Sequence, residues 1–203
     1  MHGNNLTDDE LRLFVDLGVS FSVTPENELI QGHGFPITGR LRQLGAAPSL
    51  GVDLESVISG DMFAVARMAL TTQRALDNSV ERRARDAIPS TTTVPVREAL
   101  RWVTMEGARM LGLENRIGSL TPGKQADLVI LNATAMNLWP VHDPVSTVVM
   151  QAGPANVEAV MIAGAWKKRD GNMRIADRQQ KLDALAASGR RIIDDMNQIN
   201  KAA

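Results

Sequence analysis

Few side chains in this sequence can do chemistry. Its 203 residues hold three histidines, His2, His33 and His142, and no cysteine. None of the histidines forms an HxH or HExxH pair, so a three-histidine metal site within one copy of the chain is arithmetically strained. Asp53 is the most suggestive single position. It ends the short apolar segment Pro48-Ser49-Leu50-Gly51-Val52, and in a parallel sheet ligands and catalytic groups collect at the carboxyl ends of strands. A carboxylate there can bind a metal or move a proton; the competing reading is that Asp53 only caps the turn that follows. His2 would sit just after a strand if one preceded it, or else belongs to an unordered chain end. Glu26, Glu28 and His33 fall in one loop on the same edge as Asp53, where they line a polar pocket or stand in solvent. His142, within Trp139-Pro140-Val141-His142-Asp143-Pro144, reads as structural. No phosphate loop, dinucleotide fingerprint or serine nucleophile elbow is present.

The elements that must position these residues follow from periodicity. Thr7-Asp8-Asp9-Glu10 is a capping box, and Leu11, Phe14 and Val15 continue at helical spacing until Gly18. Val19, Phe21 and Val23 then alternate with Ser20, Ser22 and Thr24, which predicts a strand closed by Pro25 and a loop from Pro25 to Pro36. Ile37, Leu41 and Leu44 mark a second helix before the segment that ends at Asp53. Helix, strand, helix, strand implies parallel pairing through right-handed crossovers. Helical patterns follow from Gly60 to Ile88 and, after Pro95, from Val96 to Leu111. Beyond Gly112 the spacing predicts short strands at Asp127 to Leu131, Val145 to Met150 and Val157 to Ile162. From Ala176 onward Leu182, Leu185, Ile192, Ile193, Met196 and Ile199 share one helical face, predicting an amphipathic helix docked on the body or on a partner.

Composition excludes several classes. With 22 Lys+Arg against 23 Asp+Glu and no basic block, a nucleic-acid or anionic-membrane binder is not expected. Three Trp, four Phe and no Tyr disfavour stacking platforms for single strands. No apolar run approaches the roughly 20 residues that span a bilayer, and nothing at the N-terminus reads as a signal peptide; a cytoplasmic protein is the expectation.

Residues Gly107-Ala108-Arg109-Met110-Leu111-Gly112-Leu113, followed by the run from Ile117-Gly118-Ser119-Leu120-Thr121-Pro122-Gly123-Lys124 to Gln125-Ala126-Asp127-Leu128-Val129, resemble the C-terminal signature of metal-dependent amidohydrolases. Upstream, His2-Gly3-Asn4-Asn5-Leu6, Thr24-Pro25-Glu26-Asn27-Glu28 with Gly32-His33-Gly34, and Ser49-Leu50-Gly51-Val52-Asp53 are similar, in the same order, to the cytosine deaminase, chlorohydrolase and aminohydrolase branch. The resemblance implies an α/β fold: the C-terminal part of a β/α (TIM-type) barrel, strands six to eight, over residues 1–112. Part of a small composite β-sandwich over 113–174 and a C-terminal helix over 175–203 would follow. By the same resemblance Asp53 matches the strand-eight aspartate that binds the metal and takes a proton from the attacking water. His2 matches the strand-six histidine that helps orient water or substrate. Glu28 falls where relatives often have a substrate-contacting Asn, and Glu26 and His33 join it as candidate substrate-binding residues.

The cofactor so implied is a divalent metal, zinc or iron, in a full-length enzyme. The family's HxH pair and strand-five histidine have no counterparts in this sequence, so the chain alone is expected to be inactive with its metal absent or weakly bound. The expected function is that of the C-terminal portion of an amidohydrolase that hydrolyses non-peptide C–N bonds, deaminating a small heterocycle with metal-activated water. Loss of chloride or an alkylamine is a variant of the same chemistry. The alternative, from another class, is a non-catalytic interaction module that retains the fold without the metal site. A barrel takes about 250 residues, so exposed edges predict a homo-oligomer or association with a missing N-terminal half.

Overall fold

The computed structural model describes residues 2–202. In it the Thr7 hydroxyl accepts the Glu10 N–H at 3.2 Å while the Glu10 carboxylate accepts the Thr7 N–H at 2.8 Å, closing the capping box on helix α1 (Asp8–Asp16). These bonds from Thr7, the backbone one foremost, hold the Glu10 carboxyl below the ordinary glutamate range.

Strands β1 (Ser22–Val23) and β2 (Ser49–Leu50) pair in parallel, Ser22 opposite Ser49 and Val23 opposite Leu50. The other edge of β1 is taken by the start of the chain, where the His2 N–H donates to the Ser22 carbonyl at 2.9 Å. β1 is therefore bonded on both edges, by β2 and by His2. The ladder is shorter than the run from Val19 to Thr24 because the chain leaves the sheet at Thr24, where Pro25 has no N–H to give. It enters helix α2 (Pro25–Ile30) at once, which corrects the expected loop from Pro25 to Pro36. Proline in the first turn and the acidic Glu26 and Glu28 beside it suit a helix start.

Helix α3 (Thr38–Gln43) completes the crossover to β2. Leu11, Phe21, Val23, Ile37, Leu41 and Leu50 pack with Val65 and Leu70 of α4 (Met62–Arg85), Trp102 of α5 (Val96–Trp102) and Val149 into one core. The single helix expected to run to Leu111 is two, α5 and α6 (Met105–Met110). Thr104 sits between them, its hydroxyl donating to the Leu100 carbonyl at 2.7 Å, the kind of local bond that competes with a continuous helix.

Residues Val145 to Met150 are helical, against the strand expected there. Asp143 accepts the N–H groups of Val145 and Ser146, and Pro144 follows it in the first turn of α7 (Pro144–Ser146), which continues as a wider turn over Thr147–Gln151. The Ser146 hydroxyl, first among several donors, holds the Asp143 carboxyl below its ordinary range. A capped start of this kind outweighs the β-branched run, whose strand preference depends on neighbours.

A second sheet joins β3 (Leu128–Leu131), β4 (Val157–Ile162), β5 (Ala165–Arg169) and β6 (Asn172–Met173), antiparallel and in chain order. Ala163-Gly164 and Asp170-Gly171, all at positive φ, form its two-residue turns, as right-handed strand twist favours. The last helix, α8 (Arg178–Ala202), has the expected stripe but not the expected cover on the body. Leu182, Leu185, Ile192, Ile193, Met196 and Ile199 are 44–70% exposed. Periodicity fixes a face of a helix, not what lies against it. Among the described residues no helix is long and apolar enough to cross a membrane.

Candidate functional site

Bonding on both edges of β1 brings His2 and Asp53 to one end of it. His2 lies beside β1 on one side, and Asp53 comes three residues after β2 on the other. Both are left-handed, His2 at φ 65° and Asp53 at φ 76°. Such a backbone costs a non-glycine residue about 1–2 kcal/mol, and strain of this kind collects where function over-determines geometry. Gly3 lies between His2 and Asn4 at φ +116°, where a Cβ would stand 3.0 Å from Ile37 Cδ1.

His2 Nε2 is 3.5 Å from Asp53 Oδ2. The side chains are 30% and 16% exposed, so the pair is partly open to solvent. On its other nitrogen His2 meets a wholly buried carboxylate: Nδ1 is 3.2 Å from Glu28 Oε1 and 3.1 Å from the Thr24 hydroxyl. Glu28 also accepts the Thr24 N–H at 3.0 Å and Asn4 Nδ2 at 3.2 Å. Asn27 Nδ2 donates to Asp53 Oδ2, and Gln31 Nε2 donates to Asn27 Oδ1 at 2.7 Å. His33 Nε2 bonds Gln31 Oε1 at 3.2 Å, and its ring stacks on His2 with centroids 5.6 Å apart.

The structure thus brings Asp53, His2, Glu28 and His33 into one network but sorts them differently from the sequence. His33 is exposed at the rim. Glu28, expected to touch substrate, is 0% exposed and lies beneath His2. Glu26 turns away, its carboxylate accepting the Ser59 hydroxyl at 2.8 Å. His142 stands exposed just before the residue that caps α7. Thr24, Asn4, Asn27 and Gln31 were missed as participants. Amides carry no titration signature, and only the i, i+4 spacing of Asn27 and Gln31 on a helix could have linked them.

Among the described residues no three His, Asp or Glu side chains converge as a metal site. The pair supplies one carboxylate and one imidazole, whereas a catalytic zinc takes three protein ligands and an open position. The donor chemistry nevertheless fits part of such a set. Both contacts on Asp53 fall on Oδ2, held by Asn27, which leaves Oδ1 for a cation and supplies the outer hydrogen bond that ligating carboxylates have.

The chain is similar to known proteins. The model of the amidohydrolase family matches residues 2–167. The 8-oxoguanine deaminase of Pseudomonas aeruginosa is 33% identical over 171 residues, which cover 84% of this chain and 35% of that protein. The crystal structure of an adenosine deaminase from Xanthomonas campestris with bound zinc superposes with a TM-score of 0.80 at 31% identity, covering 94% of this chain and 41% of that one. A zinc-bound atrazine chlorohydrolase variant from Arthrobacter aurescens, 21% identical, shares the fold with a TM-score of 0.77 over 92% of this chain and 39% of its own. The chain thus spans about two fifths of the length of each.

Proposed function

The chain belongs to the amidohydrolase family, and from that premise we propose that Asp53 and His2 serve the hydrolysis of a C–N bond in a small heterocycle, releasing ammonia. The observation that carries the proposal is the pair itself: two strained residues on either side of β1, 3.5 Å apart, each held from behind by a buried polar side chain. In this reading β1, β2 and the segment at His2 are adjacent strands of a β/α barrel over residues 1–112, followed by part of a β-sandwich over 113–174 and the helix over 175–203.

Asp53 would hold a divalent cation, with zinc as the first candidate, alongside ligands that the described residues do not bring to this point. When bound, the cation would supply Lewis acidity, lowering the pKa of a water toward neutral pH. Asp53 would accept a proton from the attacking water and pass it toward the leaving amine. His2 orients the water or the heterocycle through Nε2. His33, stacked at the rim, offers a flat face to a planar ring. The substrates of the relatives, an oxidised guanine and adenosine among them, make aminopurines the class to try first.

The test is to translate the source DNA upstream of Met1 in frame, express the longest open frame, and measure ammonia release from a panel of aminopurines. An HxH pair and a further histidine upstream, with a rate that falls roughly 10²–10⁴-fold on Asp53→Asn, would support the proposal. A clear rate from the 203-residue chain by itself, lost on Asp53→Ala, would refute the expectation that the chain alone is inactive. A stop codon directly before Met1 and no ammonia release would favour the non-catalytic module.

A further inference from the structure

Glu28 stands outside the chemistry just described, yet it is the most completely buried charged residue at the site, at 0% exposure. Burying a carboxylate is costly unless its lone pairs are engaged. Thr24 N–H, Asn4 Nδ2 and His2 Nδ1 are the nitrogens within reach, and no Lys or Arg pairs with it among the described residues. We propose that Glu28 is a positioning residue that holds His2 in the tautomer with its proton on Nδ1, leaving the Nε2 lone pair facing the space beside Asp53. This rests on the hydrolytic reading only for its purpose; the geometry stands without it.

The argument is one of matching donors to acceptors. Were Nδ1 bare, its lone pair would face the Oε1 lone pair across 3.2 Å. The Thr24 hydroxyl has a single proton, and it lies 3.1 Å from Nδ1 and 3.5 Å from Oε1, so it could relieve only one of the two acceptors. With the proton on Nδ1 every contact of that nitrogen becomes favourable: Nδ1–H donates to Glu28, and the Thr24 hydroxyl is free to donate to Glu28 as well. The tautomer of a histidine is set by the partner of its other nitrogen. Nε2 then carries an exposed lone pair 3.5 Å from Asp53 Oδ2. Two acceptors aimed at one space call for a donor or cation between them, such as a water proton or a ring N–H. A Glu at position 28 therefore makes His2 an acceptor toward whatever binds.

The test reads the tautomer directly. The 203-residue chain, labelled with 15N-histidine, is examined at pH 8 by long-range 1H–15N correlation of the imidazole rings, with assignment by His33→Gln and His142→Gln. The expected result is His2 with a pyrrole-type Nδ1 and a pyridine-type Nε2, favoured by at least about tenfold, while exposed His142 shows both tautomers. Glu28→Gln keeps an amide oxygen to accept from Nδ1–H and should preserve the preference. Glu28→Leu removes the acceptor and should bring the ratio to that of His142. A proton on Nε2 of His2 in the unsubstituted chain, alone or together with one on Nδ1, overturns the proposal, as does an unchanged ratio in a folded Glu28→Leu variant. Should Glu28→Leu not fold, the unsubstituted and Glu28→Gln spectra still decide. A failed ammonia-release test would leave these spectra untouched, so the two readings fail separately.

Discussion

Arg67→Met tests the packing that places the misread segment 145–152. Arg67 on α4 donates from Nη2 to the Ala152 carbonyl at 2.6 Å and from Nε to the Val149 carbonyl at 3.3 Å. Val149 and Ala152 are each 1% exposed, so neither carbonyl gains ready access to water when the guanidinium is removed. Methionine keeps most of the aliphatic stem, which confines the loss to hydrogen bonding. A charged hydrogen bond is worth about 1.5–3 kcal/mol. Counting the short bond in full and the long one as a fraction gives about 2–4 kcal/mol. For a chain of this length 1 kcal/mol moves the midpoint by roughly 2–4 °C, so a fall of about 6–12 °C is expected for a mid-range loss. A thermal melt reads that fall, and equilibrium urea unfolding followed by Trp fluorescence, to which buried Trp102 contributes, reads the free-energy loss. Arg67→Lys, which can serve one carbonyl at a time, should fall between the two. A loss below about 0.5 kcal/mol with an unchanged urea slope, the size of an ordinary surface substitution, would refute the reasoning and leave the helical fold of this segment to its Asp143 cap.

Three further outcomes are expected. The capping box makes stability pH-dependent: the Glu10 carboxyl is held below its ordinary value, so its contribution is complete above the unfolded pKa and is lost as pH falls through the lower folded one. Glu10→Gln should flatten that part of the acid limb in a series of melts from pH 7 to pH 3. Ala163, at φ 49° in the β4–β5 turn, suits Asn better than Ala, and Ala163→Asn should raise unfolding stability by up to about 1 kcal/mol in urea titration. Gly3→Ala adds a Cβ at φ +116° against Ile37 and Phe21; it should cost about 1–3 kcal/mol and broaden the His2 imidazole signals.

Where local chemistry decided an element, the sequence was a sufficient guide. The Thr7–Glu10 box, the parallel order of the segments at Ser22 and Ser49, and the strand at Val157 all occur where spacing places them. It misled where two local signals competed. Pro25 and Pro144 each begin a helix, and in each case the preceding extended or following β-branched pattern carried the reading instead. The site divides along the same line. The position of Asp53 just past β2 is legible because a strand end is something that spacing reveals. The difference between Glu26 and Glu28 was not, because two residues apart on α2 they face different neighbours, one Ser59 and the other His2. A segment read as a loop gives no such directions.

The placement of β1 between its neighbours sets a gauge. Adjacent strands lie about 4.8 Å apart, so the backbones that carry His2 and Asp53 are roughly two such steps apart, and their side chains must lean across the middle segment to come within 3.5 Å. The width of that crossing is governed by the small groups beneath it. A Cβ on Gly51 would stand 3.2 Å from the Ser22 hydroxyl and 3.5 Å from the Thr24 methyl. A side chain at Gly51, or bulk added to that of Ser22, would act as a wedge, spreading His2 and Asp53 apart. The aperture of the candidate site is thus set in part by residues that carry no titratable group.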